Sequence, residues 1–281
     1  MKAKEKKVSK LRELQLSEFE IMKYFISICE KEGLTYYISG GTFLGAVKYK
    51  GFIPWDDDVD IAMPRSDYEK FLKIASKYPK FKLKNYHTDK EYVLLPSRLV
   101  NENIKVVSKA MTEEQIWDAW IDIFPLDGLP NNFILRQIYK LRIQEKKLLV
   151  KLSSFKKVVN VTEKRKSIIE CFFVWLAKHI DFESRLDTHK RIQMLDEVLK
   201  KQSLKKSRYY MNFYGAYKFK SILRKDVYYL EGANYTFEGI TVFGPKNYDL
   251  YLSHFYGEYM KTPKDLNKNK HETEIIGDDK E

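Results

Sequence analysis

Cysteine and histidine are scarce in this chain. Two cysteines occur in 281 residues, Cys29 and Cys171, each beside apolar neighbours. They give no disulfide framework and no zinc spacing, and they suit a reducing compartment. Five histidines (His87, His179, His189, His254, His271) are scattered, which argues against a histidine-built metal centre. Long apolar runs are also absent. The longest, Ile168 to Ala177, is broken by Glu170 and falls far short of the roughly 20 residues a bilayer span needs. Met1 to Lys10 is basic but lacks the apolar stretch of a signal peptide, so it reads as a frayed tail. The expectation is a cytoplasmic protein, with peripheral contact at the inner face of the membrane as its furthest reach.

What is present supports a real core. Hydrophobic residues make up 44% and aromatics 15%, which excludes global disorder. The net charge of +12 is uneven. Residues 1–130 carry a net of +1, residues 131–206 carry +11, and residues 207–281 carry zero. A uniformly basic nucleic-acid binder has no such asymmetry, and no nucleic acid is expected as a partner. The middle segment reads as a solvated helical face or as a docking region for something anionic, either acceptor or lipid. Beside that charge, Ile168 to Ala177 reads as a shallow membrane insertion or a buried helix.

Ser17-Glu-Phe-Glu20 has the form of a capping box, and Phe19, Met22, Phe25, Ile26 and Cys29 form an apolar stripe. This predicts a helix from Ser17 to about Lys31, stopped at Gly33. A short buried strand is expected over 35–39, a short helix over 42–47, a loop over 48–57 and a second strand over 58–63. Ser66-Asp-Tyr-Glu69 predicts another helix start. Strands are expected over 81–86, 92–100, 104–107 and 120–124. Helices are expected over 132–151, 163–180 and 185–202. Beyond Arg208 the chain is rich in tyrosine, with a strand-like 227–243, a helix from Tyr248 to about Met260, and a loose polar tail after Pro263. The organisation reads as a basic tail (1–16), a catalytic core (17–130), a basic helical segment (131–206), a tyrosine-rich part that completes the domain (207–263) and a polar tail (264–281).

Residues 38 to 61 hold the densest run of special residues. Gly40 and Gly41 follow the first strand, and Asp56, Asp57, Asp58 and Asp60 precede or enter the second. The glycines fit neither a P-loop nor a dinucleotide fingerprint, because Ala46-Val47 stands where a P-loop requires Lys-Ser/Thr. A bare double glycine is most often a turn; beside an acidic strand it also lets backbone N–H groups approach phosphate. Strand alternation puts Asp58 and Asp60 on one face, with Val59 and Ile61 toward the core. Two such carboxylates repel unless a cation neutralises them, and oxygen-only ligands favour Mg2+ or Mn2+. Asp122, isolated between Trp120, Ile121, Ile123 and Phe124, is either a structural aspartate bonded to backbone or the third carboxylate of that site.

Strand, Gly-Gly, helix and Asp-x-Asp, with a third Asp on a later strand, resembles the nucleotidyltransferase superfamily. The string Ser39-Gly-Gly-Thr-Phe-Leu-Gly-Ala-Val47, followed by Gly51-Phe-Ile-Pro-Trp-Asp-Asp-Asp-Val-Asp-Ile61, is more specific. It resembles the LicD family of phosphorylcholine transferases, related to the fukutin-type phosphotransferases. Further matches are Ile121 to Asp127, Phe237-Glu-Gly239, and Tyr251 to Met260 before Pro263. The central basic segment has no match.

The resemblance implies an α/β (α+β) fold, a nucleotidyltransferase-like mixed β-sheet flanked by helices, with a basic helical insertion. It implies an Mg2+-dependent phosphotransferase. That enzyme would move a phosphorylated alcohol, phosphocholine from CDP-choline foremost, to a hydroxyl of a cell-surface glycan, lipopolysaccharide or teichoic-acid precursor, releasing CMP. Asp58, Asp60 and Asp122 would hold metal and carry catalysis, with Asp122 also taking the acceptor proton. Gly40, Gly41 and Thr42 would offer donors to phosphate, Lys48, Lys50 and Arg98 would meet phosphate charge, and Asp56 would orient metal or acceptor. Trp55, Trp117, Trp120 or the tyrosines would cage a quaternary ammonium. Two other readings stay open: a nucleotidyltransferase that adds a nucleotide monophosphate to a small molecule, and a non-enzymatic protein that binds anionic surfaces.

Overall fold

The computed structural model describes residues 2–90, 92–108, 115–154, 186–215, 217–261 and 273–276. The first helix, α1 (Lys2–Glu32), is longer than the Ser17 start predicts. Leu14 is fully buried one turn upstream, so packing carries the helix through the presumed cap. Ser17 and Glu18 therefore sit mid-helix, and residues 2–16 are helical rather than a frayed tail. The helix does end as expected: Gly33 takes φ +62°, and the Leu34 N–H bonds back to the Cys29 carbonyl.

The chain then enters a mixed eight-stranded sheet, which bears out the expected fold class. β1 (Tyr37–Ile38) leads to α2 (Gly40–Lys48), and β2 (Asp60–Pro64) returns antiparallel to β1. α3 (Arg65–Ile74) follows directly. Pro64, not Ser66, occupies its N-cap, and Ser66 lies inside the first turn. β3 (Lys82–Lys84) pairs with β4 (Ser97–Ser108), and β4 pairs with β5 (Gln115–Gly128). The strands expected over 92–100 and 104–107 are thus parts of one strand, with a register shift between Asn101 and Lys105. β2 and β5 run parallel at the centre.

Two helices, α4 (Phe133–Ser153) and α5 (Thr188–Leu199), pack against each other beside the sheet. Asn132 and Asp187 cap them, accepting from the Leu135 and Lys190 N–H groups. The helix expected over 163–180 lies outside the described residues, and so does Ile168 to Ala177. Tyr139, Ile143 and Val150 of α4 meet Ile192, Leu195 and Leu199 of α5 in a second core. Part of the excess basic charge packs inward: Lys140 lies over the Phe219 ring and Lys147 over Phe213. Burial lowers the Lys147 pKa to about 8.

The C-terminal part rejoins the sheet. β6 (Tyr209–Met211) extends from the far end of β5, and β7 (Ile222–Arg224) pairs with β6. The expected strand over 227–243 is instead a helical turn, α6 (Lys225–Tyr228), and a hairpin of β8 (Ala233–Phe237) and β9 (Ile240–Gly244). Its two loop residues, Glu238 and Gly239, both take positive φ, as tight hairpin turns require. α7 (Tyr248–Tyr256) then packs Tyr251 and Leu252 into the main core. The tail is not wholly loose, because β10 (Thr273–Ile275) pairs with β4.

Candidate active site

Register alone assembles the acidic centre. Asp60 on β2 lies directly opposite Asp122 on β5, and Asp122 lies opposite Arg98 on β4. Adjacent strands are about 4.8 Å apart, so the three side chains form one row across the sheet. Asp58 precedes β2 rather than belonging to it, yet the predicted alternation persists. Asp58 and Asp60 are half-buried, whereas Asp57, Val59 and Ile61 are buried.

The backbone around Asp60 is fixed from both sides. Its N–H donates to Thr42 Oγ1 at 2.8 Å, and its carbonyl accepts from the Ser39 N–H at 3.0 Å. Thr42 is buried in this role and does not line the cavity. The double glycine makes room for carboxylates. A Cβ on Gly40 would overlap Asp60 Oδ2, and one on Gly41 would overlap Asp56 Oδ2. Gly40 also needs its freedom of φ, at +56°.

Asp122 is held by donors. Arg98 Nε reaches Oδ1 at 2.8 Å, and Trp120 Nε1 reaches Oδ2 at 3.0 Å. Arg98 in turn lies over the Trp120 and Trp117 rings at 4.2 and 5.1 Å. Burial disfavours the Arg98 cation, but Asp122 outweighs it, so its pKa rises. Arg98 is therefore the partner of Asp122, and neither residue lines the cavity. Asp60 is not balanced in this way: burial raises its pKa well above the ordinary value, Asp58, Asp122 and Asp56 add to the rise, and Arg98 offsets only part of it.

In front of this centre lies a cavity of about 410 Å³. Gly40, Gly41, Asp56, Asp58 and Asp60 line one part of it. Lys48 and Trp55 also line it, whereas Lys50 is exposed and donates to the Val47 carbonyl. Trp117 and Trp120 face Arg98 and do not line the cavity. Of the nominated tryptophans, Trp55 alone among the described residues reaches it.

Further aromatic lining comes from the C-terminal part. Tyr229 and Tyr251 line the cavity, and so do Tyr217, Phe255 and Tyr256. Tyr251 bonds the Gly40 backbone and Tyr229, and it senses the Asp60 charge. The tyrosine excess marked this region, but no local pattern separated these rings from core residues.

Glu18 was also missed as a neighbour of the site. It is fully buried on α1, and neither carboxylate oxygen has a hydrogen-bond partner. Burial, then the charges of Asp58, Asp57, Asp56 and Asp122, raise its pKa well above the usual range. Its place within an apparent capping box concealed it.

The donor set suits a hard divalent cation: Asp58 and Asp60, whose charges interact, both present carboxylates to the cavity. Among the described residues, however, no three His, Cys, Asp or Glu side chains converge as a finished metal cage.

Residues 33–139 match the LicD/FKTN/FKRP nucleotidyltransferase domain. Across nearly its whole length the chain is similar to the lipopolysaccharide cholinephosphotransferase LicD of Haemophilus influenzae. The two are 28% identical over 272 residues, covering 93% of this chain and 95% of that protein. A Rickettsia typhi protein is 32% identical over 130 residues, 45% of this chain and 38% of its own length. A 48-residue stretch is 38% identical to the human ribitol 5-phosphate transferase FKRP, covering 17% of this chain and 10% of that protein. Residues 33–139 are thus similar to the nucleotidyltransferase domain shared by LicD, FKTN and FKRP, and the similarity to LicD runs on through the rest of the chain.

Proposed function

We propose that this protein transfers a phosphorylated alcohol, phosphocholine foremost, from a CDP-alcohol to a hydroxyl of a surface glycan, releasing CMP. The observation that carries this reading is the pairing of Asp60 with Asp122, beside Gly40, at the edge of a cavity whose further lining is aromatic. The similarity to a lipopolysaccharide cholinephosphotransferase supports both the transferred group and the acceptor class.

Asp58 and Asp60 would hold Mg2+, with Asp122 as the third carboxylate, oriented by Arg98 and Trp120 as second-sphere donors. The metal, when bound, supplies charge neutralisation for the diphosphate and the leaving CMP. Gly40 and Gly41 let the carboxylates and the donor phosphates share a narrow space. Lys48 lines the cavity as a point charge for phosphate. Asp122 is turned onto Arg98, so Asp56 and Asp58, which line the cavity, are better placed than Asp122 for the acceptor proton.

The test is incubation with CDP-choline, Mg2+ and a glycan acceptor, with CMP measured. Release of CMP that requires Mg2+ is expected. Absence of CMP release across several CDP-alcohols overturns the reading. A cytidine label that stays on the acceptor would instead identify a nucleotidyltransferase.

No described helix is long and apolar enough to cross a membrane. The outer face of α4 nevertheless exposes Ile134, Ile138 and Leu141, spaced by four and three, with Phe133 and Leu135 exposed beside them. Arg142 and Lys151 are exposed on the same helix. This combination supports reversible docking on an anionic bilayer, where lipid-carried acceptors reside. Co-sedimentation with phosphatidylglycerol vesicles should fall with added salt and with Ile134→Ser plus Leu141→Ser. Equal binding to neutral vesicles counts against it.

A further inference from the structure

The proposed function leaves open what recognises the alcohol. The lining of the cavity runs from the acidic centre along a chain of rings. Tyr251 touches the Gly40 backbone at one end. Its ring lies 4.9 Å from Phe255, one helical turn further along α7. Phe255 in turn lies 4.6 Å from Tyr217, and Tyr217 meets Tyr256 edge-on at 5.9 Å and 85°. Tyr217, Phe255 and Tyr256 thus form a corner of half-buried ring faces, two ring contacts away from Gly40.

Several polar groups of this wall are already engaged. Tyr256 bonds the Tyr217 hydroxyl. The Asn212 side chain accepts from the Gly215 N–H at 3.1 Å, and Ser221 Oγ donates to the Asn212 carbonyl at 2.6 Å. The Phe255 ring offers no hydrogen bond, and its carbonyl accepts from Lys220 Nζ at 3.2 Å, a cation that also lies 5.8 Å from the Tyr217 ring centre. At the rim, Glu258 is paired with Lys261 at 2.6 Å. A polyol against the ring faces would lose water for few partners, which is costly. A methylated ammonium needs no hydrogen bonds and is attracted to electron-rich ring faces within about 6 Å.

We propose that the ring faces of Tyr217, Phe255 and Tyr256 form the subsite for a quaternary ammonium, the cationic head of the transferred phosphoalcohol. This rests on the phosphotransferase reading above. The acidic centre handles the diphosphate, and the ring corner selects the alcohol. Trp55, the tryptophan nominated from sequence, meets Tyr49 at 6.2 Å and lies outside this ring chain.

The experiment compares CMP release from CDP-choline and CDP-glycerol by the wild-type chain, Phe255→Leu and Phe255→Tyr, with choline binding followed by calorimetry. Phe255→Leu should raise KM for CDP-choline about tenfold with kcat within about twofold, and leave KM for CDP-glycerol unchanged. Choline affinity should fall in parallel, and Phe255→Tyr, which keeps the ring, should restore both. Thermal melts establish that each variant is folded. Equal KM shifts for both donors, or unchanged choline affinity in Phe255→Leu, overturns the subsite. If the wild type releases no CMP but binds choline through Phe255, the transfer reading fails and the subsite stands. If the wild type neither binds choline nor discriminates between the donors, the subsite is refuted whatever the outcome for CMP.

Discussion

Two acidic centres among the described residues are built to opposite rules. In the first, Arg65 at the start of α3 bridges Asp127 at the end of β5 and Asp196 on α5, at 2.7 and 2.9 Å. Tyr86 donates to Asp196 at 2.6 Å, and Lys200 pairs with it at 3.1 Å. Burial alone would raise the Asp196 pKa, but Arg65, Tyr86 and Lys200 outweigh it and hold the pKa below the ordinary value. In the second, Asp56, Asp58, Asp60 and Glu18 crowd together, while the nearby Arg98 is directed to Asp122. The first centre pairs each carboxylate with a cation, although burial still raises the Asp127 pKa, and it joins the sheet to the helical pair. The second is open and faces a cavity. A fold tolerates unbalanced charge where a ligand is expected to balance it, so the contrast separates framework from function.

The contrast predicts opposite responses to mutation. Asp60→Ala should reduce CMP release by at least about a thousandfold, since the proposed function makes Asp60 a ligand of the charge-stabilising centre. The same change should leave the melting temperature unchanged or raised, because a repelling charge is gone. A collapse of stability in that variant would place Asp60 with the framework instead. Asp196→Ala should do the reverse. Arg65 keeps Asp127, but the buried Tyr86 hydroxyl loses its acceptor and Lys200 its partner, which should cost about 1–3 kcal/mol in a urea titration, with KM for the donor little changed in the folded fraction.

Glu18→Gln is the sharper probe. Burial and neighbouring charge raise the Glu18 pKa well above its ordinary value. Its folded pKa is raised, so the folded state keeps a proton that the unfolded chain releases. Stability then falls as pH rises from about 4.5, the unfolded value, through the raised folded one. Glutamine removes that slope. The variant should exceed wild type by about 1.4 kcal/mol or more at pH 8, the worth of one pKa unit, and match it near pH 4. A wild-type pH slope retained in Glu18→Gln would show that Glu18 is ionised.

The smallest effect belongs to the latch over the Gly51 loop. Arg12 donates to both oxygens of Glu238, at 3.2 and 2.6 Å, and Glu238 Oε1 also accepts from the Phe52 N–H. Arg12 is 44% exposed, so Arg12→Ala should cost only about 0.5 kcal/mol. Thermal melts at low and high salt would detect it, since screening removes the difference.

Much of the second centre was legible in the chain. The Gly40-Gly41 pair, the Asp58/Asp60 alternation and the isolated Asp122 are local patterns, and β-strand geometry turns them directly into placement. The Gly33 stop was equally local. Capping boxes misled twice, at Ser17 and Ser66, because burial of Leu14 and the position of Pro64 outranked a four-residue motif. Glu18 was hidden for the same reason. The ring corner was not legible either, since Tyr217 and Phe255 are 38 residues apart and look like any other core aromatics.

The sequence by itself determined the chemistry available: a double glycine, a strand with alternating carboxylates, an apolar strand with one buried aspartate, and a basic middle segment. These follow from periodicity and residue type, which act over a few positions. Tertiary structure decided which charges meet. Register between β2 and β5 set Asp60 against Asp122, and antiparallel pairing with β4 gave Arg98 to Asp122 rather than to the cavity. Packing of α7 against α2 and the loop before β7 brought rings from the C-terminal part to the acidic centre. Such pairings depend on where distant segments come to lie, and no short-range pattern encodes that.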